Sequence, residues 1–198
     1  MQDLETSSVT ERRLKLELRL AQLDETKACR EDFIQYVKKV WPEFINGAHH
    51  TMIAKKFEDI ANGKNKRLII NMPPRHTKSE FASFLLPSWI IGRDPKTKII
   101  QTTHTAELAV NFGRKVRNLL DTPEYRNIFD DVKLQADSKA AGRWSTNHGG
   151  EYFAAGVGGA ITGRGADLLI IDDPHSEQDA LSETAMEHAY EWYTSGPR

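Results

Sequence analysis

The chain has 198 residues, 39% of them hydrophobic and 28% charged, with a formal net charge of −1. That composition fits an ordinary globular domain with its own core. The single cysteine, Cys29, excludes an intrachain disulfide, as expected in a reducing cytosol. No apolar run is long enough to span a bilayer, and the opening M-Q-D-L-E-T-S-S has no apolar signal-peptide core, so no membrane association is expected. The charge is unevenly spread. Lys55 to Arg117 holds thirteen basic against five acidic residues, whereas Gly165 to Arg198 holds eight acids and one base. The basic half suits phosphates of a nucleotide or nucleic acid, or is a set of scattered solvated lysines.

In chain order, Leu16, Leu20 and Leu23, widened by Leu14 and Leu18, predict an amphipathic helix over 10–28, expected to dock on the core. A second helix is expected over 29–40, stopped by Pro42, and a third over 48–61, stopped by Asn62-Gly63. Arg67–Met72 reads as a short strand halted by Pro73-Pro74. A helix then runs from Ser79 to Ile91, a strand over 98–102, and a helix over 105–121 with Leu108, Phe112, Val116 and Leu119 on one face. Residues 122–150 are weakly patterned, with short strands near 132–134 and 143–146. A strand at 151–155, the apolar run Leu168-Leu169-Ile170-Ile171 and a helix over 179–193 close the chain. Alternating strands and helices predict an α/β sheet with covered faces and ligands at the carboxyl ends of its strands.

Two motifs fall at such ends. The first is Met72-Pro73-Pro74-Arg75-His76-Thr77-Lys78-Ser79, between a strand and a helix. It ends like the phosphate-binding pattern G-x-x-x-x-G-K-[ST], but Met72 and Thr77 stand where glycines are usual. The chemistry survives that departure, because backbone N–H groups and a helix N-terminus are the phosphate ligands. Pro74, Arg75, His76, Thr77, Lys78, Ser79 and Glu80 are the candidate ATP-binding residues. Lys78 would meet the β- and γ-phosphates and Ser79 a Mg²⁺ ion. Taken alone, the stretch also fits a proline-rich helix cap with a surface lysine.

The second motif is Asp172-Asp173-Pro174 at the end of the apolar run. Two carboxylates at the end of a buried strand are costly unless a cation meets them. Asp172 suits a Mg²⁺ ligand. Asp173 suits the residue that orients or deprotonates water, with Glu177 as the alternative; a plain turn is the bland reading. Arg164, flanked by Gly163 and Gly165 after Thr162, fits an arginine finger, a surface arginine or a DNA-phosphate contact, while Arg75 can serve from within the turn. Gly156-Val157-Gly158-Gly159 reads as a flexible connection. None of the seven histidines forms a zinc spacing with a cysteine. His175 beside the acids would suit a metal hydrolase only with more carboxylates nearby.

N-M-P-P-R-H-T-K-S-E at 71–80, I-I-Q-T-T-H-T-A-E-L-A at 99–109, F-G-R-K-V-R at 112–117 and G-V-G-G-A-I-T-G-R-G-A-D-L-L-I-I-D-D-P-H at 156–175 together resemble the large terminase subunit of tailed phages, over about residues 30–198. The resemblance implies a P-loop NTPase fold of the ASCE type, α/β with a mostly parallel central sheet, as the core at 63–198, preceded by a helical segment at 1–62. It implies an ATP-hydrolysing motor, with ATP and Mg²⁺ as cofactors, that drives double-stranded DNA into a procapsid. Its partners would be a portal protein and a small terminase subunit. It would act in the host cytoplasm as a homo-oligomeric ring in which Arg164 completes a neighbour's site. Lys78, Ser79, Asp172 and Asp173 align with the Walker residues; the family's acid is often Glu, which leaves Asp173 and Glu177 both open. Family members continue into a coupling motif and a nuclease domain, so a chain ending at Arg198 is expected to be a fragment or one piece of a split gene. A helicase-like translocase and an inactive adaptor of the same fold are the alternatives.

Overall fold

Helix α1, Gln2–Glu31, is the longest element and extends beyond the expected 10–28 at both ends. The computed structural model describes residues 2–161 and 163–195, with side chains described from residue 11 onward except at 139. Thr162 and the expected end at Arg198 lie outside the described residues. The α1 leucines do not dock on the core as expected: Leu14, Leu16, Leu18, Leu20 and Leu23 are each 56–60% exposed. At 100° per residue, Leu14 and Leu18 project opposite Leu16, Leu20 and Leu23, so no single apolar face forms. Among the described side chains, α1 is anchored at its carboxyl end, where Cys29 is buried.

The expected helix at 29–40 is divided at Asp32. Residues 29–31 finish α1, and the Asp32 side chain accepts from the Gln35 N–H at 2.9 Å to cap α2, Phe33–Val40. Helix α3, Ala48–Ala61, has the expected bounds and stops at Asn62, before Gly63 with φ +70°. Arg67–Met72 is not a strand. Leu68 and Ile70 lean on the core, but Ile69 is 87% exposed and the segment pairs with no strand among the described residues. Its β-like composition is insufficient because a strand is completed by neighbours.

A π-helical turn, Glu80–Leu85, runs directly into α4, Leu86–Arg93. Strand β1 is Lys98–Thr103. Helix α5, Ala106–Leu120, is capped by Thr105. The weakly patterned stretch contains an unanticipated helix α6, Pro123–Ile128, then β2, Leu134–Ala140, and β3, Arg143–Thr146. Strand β4 is Glu151–Gly156 and β5 is Leu168–Ile171. The expected last helix begins as a short 3-10 turn, Asp179–Leu181, and continues as α7, Glu183–Ser195.

The five strands lie in the order β2-β3-β4-β1-β5. Strands β4, β1 and β5 are parallel, whereas β2–β3 and β3–β4 pair antiparallel. The sheet is therefore mixed, correcting the mostly parallel expectation: the short link between β2 and β3 allows a hairpin, and a parallel pair would need a long crossover. Against one face packs an aromatic core. Phe33, Tyr36 and Phe57 of the first helices meet Phe81, Trp89 and Tyr125 in the same cluster as Trp144 and Tyr152 of the sheet. Their polar ends are mostly satisfied: Tyr36 Oη and Ser88 Oγ are 2.6 Å apart, and the Trp89 indole N–H donates to the Cys29 carbonyl at 2.9 Å.

Helix α5 approaches the sheet closely at Gly113. A Cβ there would lie 2.5 Å from the Ala141 carbonyl oxygen and 2.9 Å from the Tyr152 ring, and the Gly113 carbonyl accepts from the Trp144 indole at 3.1 Å. Gly113→Ala is expected to cost about 1–3 kcal/mol through overpacking. Urea unfolding checks this; an unchanged midpoint would show that the helix can move off the sheet freely.

Candidate functional site at the strand ends

The carboxyl ends of β1 and β5 lie side by side, with Thr102 paired to Ile171 in register. The chain leaves β5 into Asp172 and Asp173, while Lys78 stands at the start of the helix that follows the Pro73-Pro74 turn. These residues, 94 and 95 positions from Lys78 in sequence, meet: the Lys78 ammonium contacts the Asp173 carboxylate and lies 3.9 Å from Asp172 Oδ1. Asp172 is buried and Asp173 is exposed.

Asp172 is held from behind. Its Oδ2 accepts from the Ser83 hydroxyl at 2.8 Å, and Ser83 Oγ accepts from the Gln101 amide at 3.1 Å. Ser83 has one proton, so its donation to Asp172 fixes the Gln101 side chain with its NH₂ group forward. Both residues are fully buried. The Asp172 N–H also donates to the Thr102 carbonyl at 2.9 Å. The carboxylate thus arrives at the strand end with one oxygen committed to Ser83 and the other facing Lys78.

The backbone carries a matching constraint. Among the described residues, the non-glycine positions with positive φ are Arg75 (63°), Thr77 (63°) and Asp173 (43°), all in these two motifs. Such conformations cost about 1–3 kcal/mol each and cluster at functional sites. Thr77 occupies a glycine position of the generic pattern, and it takes the left-handed backbone that glycine would supply. Its hydroxyl is 2.7 Å from His50 Nε2.

The remaining predicted residues are placed as follows. Pro74, Arg75 and His76 form the exposed crest of the turn, with His76 Nδ1 2.9 Å from the Pro74 carbonyl oxygen. Ser79 is half-buried, and its side chain makes no capping bond to the helix. Glu80 points to α5, where its carboxylate meets Lys115 at 2.6 Å. Glu177 is exposed in the loop beyond Pro174. Arg164 is not brought to the turn. It pairs with Glu151 at 3.1 Å and stacks 3.9 Å over the Phe153 ring. Glu151 opens β4 in register with Lys98, at the opposite end of the parallel strands from Asp172; over roughly five residue steps that is about 16 Å.

Ser83, Gln101 and the contact of His50 with Thr77 are what sequence reading missed. A weak signal existed for two of them. Gln101 is a polar residue inside the run Ile99-Ile100-Gln101, and Ser83 lies one helical turn past Ser79. His50 has its pKa lowered by burial, then by neighbouring His49 and His76. Among the described residues no group of three or more His, Cys, Asp or Glu side chains is arranged to hold a metal. Magnesium does not need one, since it takes one or two protein oxygens and completes its shell with phosphates and water. The buried, hydrogen-bonded Asp172 and the uncommitted Ser79 hydroxyl fit that requirement.

A helix-flanked mixed α/β sheet, with a lysine-bearing turn and paired acids at its strand ends, is compatible with a P-loop-like protein. No family model matches the chain. Over 131 residues, 65% of its length, it is 27% identical to the large terminase subunit of Enterobacteria phage T3. The match spans 22% of that protein. The relationship is terminase-like and distant, and it points to a terminase-related role.

Two outcomes follow from this geometry. Ser83→Ala strips a partner from both Asp172 and Gln101 and is expected to destabilise the fold by about 1–3 kcal/mol in chemical denaturation; wild-type stability would mean that the network is not formed. His50 stays neutral in the fold while an unfolded His takes up a proton near pH 6.5, so its contribution is complete above about 6.5 and declines as pH falls toward the lowered folded value. Melting scans across pH 7.5 to about 5 should therefore show an acid-induced loss that His50→Gln reduces; identical slopes would remove His50 from that loss.

Proposed function

We propose that this chain is the Mg-dependent ATPase motor core of a terminase large subunit, hydrolysing ATP to drive phage DNA into a procapsid. The observation that carries the reading is the meeting of Lys78 with Asp172 and Asp173 beside a turn that enters left-handed backbone twice. The backbone N–H groups of the turn and the start of the following helix are suited to bind phosphate oxygens. A phosphate that meets Lys78 competes with Asp173 for its ammonium, and so releases that carboxylate to orient or deprotonate a water; Glu177 is the alternative for that role. Ser79 and Asp172 would hold magnesium, which when bound supplies positive charge against the phosphate oxygens.

Arg164 lies at the far end of the parallel strands from its own turn, which favours action on a neighbouring subunit in a homo-oligomeric ring. The division into a helical segment at 1–62 and an ATPase core at 63–198 belongs to the same proposal. So do double-stranded DNA, a portal protein and a small terminase subunit as partners, and the host cytoplasm as the location. No described helix is long and apolar enough to cross a membrane.

Mg-ATP at 100 times its Kd should stabilise the wild-type chain by about 2.7 kcal/mol, and Lys78→Ala should abolish the corresponding rise in Tm together with ATP turnover. An equal rise in both proteins would remove Lys78 from the site. No rise in the wild type would leave an inactive adaptor.

A further inference from the structure

We propose that His50 is a positioning residue that locks the phosphate turn, by donating from Nε2 to the Thr77 hydroxyl and so holding Thr77 in its left-handed backbone. The inference rests on the reading above that this turn receives nucleotide phosphates.

The proton positions are determined by the contacts. The Gly47 N–H donates to His50 Nδ1 at 2.9 Å, so Nδ1 is the acceptor and the ring proton sits on Nε2. Nε2 lies 2.7 Å from Thr77 Oγ1, and the Thr77 hydroxyl spends its own proton on the His76 carbonyl at 2.6 Å. The chain of donors therefore runs in one direction, from the backbone at the start of α3 through the imidazole to the backbone of the turn. A neutral His with the other tautomer cannot make it.

The ring itself is closely packed. It is 6% exposed, stacks on Phe81 at 4.9 Å and 28°, and meets Phe44 at 4.8 Å. Phe81 belongs to the helix that follows the turn, so a single imidazole grips the turn through Thr77 and the helix through Phe81. The other titratable rings beside it are His49, at 3.8 Å, and His76 of the turn crest, 6.0 Å from His49.

Thr77 is β-branched, and left-handed backbone at such a residue is an outlier that its surroundings must enforce. The residue after it is Lys78. If Thr77 relaxed to an ordinary φ, the lysine and the amides of the following residues would be re-aimed. His50 supplies the restraint that a glycine in the generic pattern would make unnecessary.

Two substitutions separate this role from simple packing of α3. His50→Gln places an amide NH₂ where Nε2 stood and forfeits the acceptor for Gly47. His50→Asn keeps an acceptor near Nδ1 and forfeits the donor to Thr77. Isothermal titration with Mg-ATP on the full chain should give His50→Gln an affinity near wild type and weaken His50→Asn by about tenfold, the worth of one lost hydrogen bond. Thr77→Val combined with His50→Asn should add little to either change alone. The opposite order, with Asn tolerated and Gln weak, would make His50 a cap of α3 and overturn the lock. If the wild type binds no Mg-ATP, the nucleotide reading fails separately. The lock is then judged without nucleotide, by amide hydrogen exchange at 77–79 and the nitrogen shifts of His50. Faster exchange in His50→Asn but not His50→Gln, with the wild-type proton on Nε2, supports it; equal exchange in all three, or a proton on Nδ1, overturns it.

Discussion

The burial of Asp172 is the constraint on which the rest of the site depends. Burying a carboxylate until 7% of its side chain is exposed is costly unless hydrogen bonds and a cation meet it. Two groups provide this compensation, the Ser83 hydroxyl and the Lys78 ammonium, while the Thr102 carbonyl anchors the Asp172 backbone N–H. Each comes from a different element. Ser83 needs the π-helical turn, Thr102 needs β1 beside β5, and Lys78 needs the bend after Pro73-Pro74. Moving Ser83 or Lys78 leaves a buried charge short of a partner, and moving Thr102 frees the backbone that carries it, so the sheet register, the helix irregularity and the strained turn are held by one common requirement. Ser83 carries a further obligation, since Gln101 in the middle of β1 relies on it as an acceptor.

Asp172 and Asp173 divide the work by environment. Asp172 is buried and Asp173 exposed, so one carboxylate is turned into the protein and its neighbour toward solvent, with both in reach of Lys78. The inner one is fixed by hydrogen bonds and suits a static duty. Among the described residues the outer one has only Lys78 as a side-chain partner, with a left-handed backbone beneath it. An exposed carboxylate with a single exchangeable partner is the one that can change its contacts when an anion arrives.

Local chemistry was legible in the sequence and pairing was not. Helix α3 is bounded by Asn62-Gly63, a stop signal with a mechanism, and β5 is an uninterrupted apolar run before two acids. The turn was recognisable from Lys78-Ser79 even with its glycines replaced. Arg67–Met72 has the composition of a strand, yet whether it joins a sheet is decided by residues far along the chain. The β2–β3 hairpin carries little alternation in Leu134–Ala140, so its antiparallel pairing left only a faint trace. The leucines of α1 recur at helical spacing but lie on two opposite faces of the helix. His50, Ser83 and Gln101 act through contacts spanning 27, 89 and 18 positions, and nothing in their own neighbourhoods announces the partner.

The strand order also bears on how the molecule assembles. Strand β1 lies between β4 and β5, although both follow it in the chain, so its central position is earned only after more than forty later residues have been laid down. Contacts of such long sequence separation form slowly. Lys78 and its two acids meet only in a chain whose β5 has closed on β1. A ligand that engaged Lys78 together with both acids would bind only the closed sheet, and so would stabilise the finished protein over any form in which β5 is unpaired.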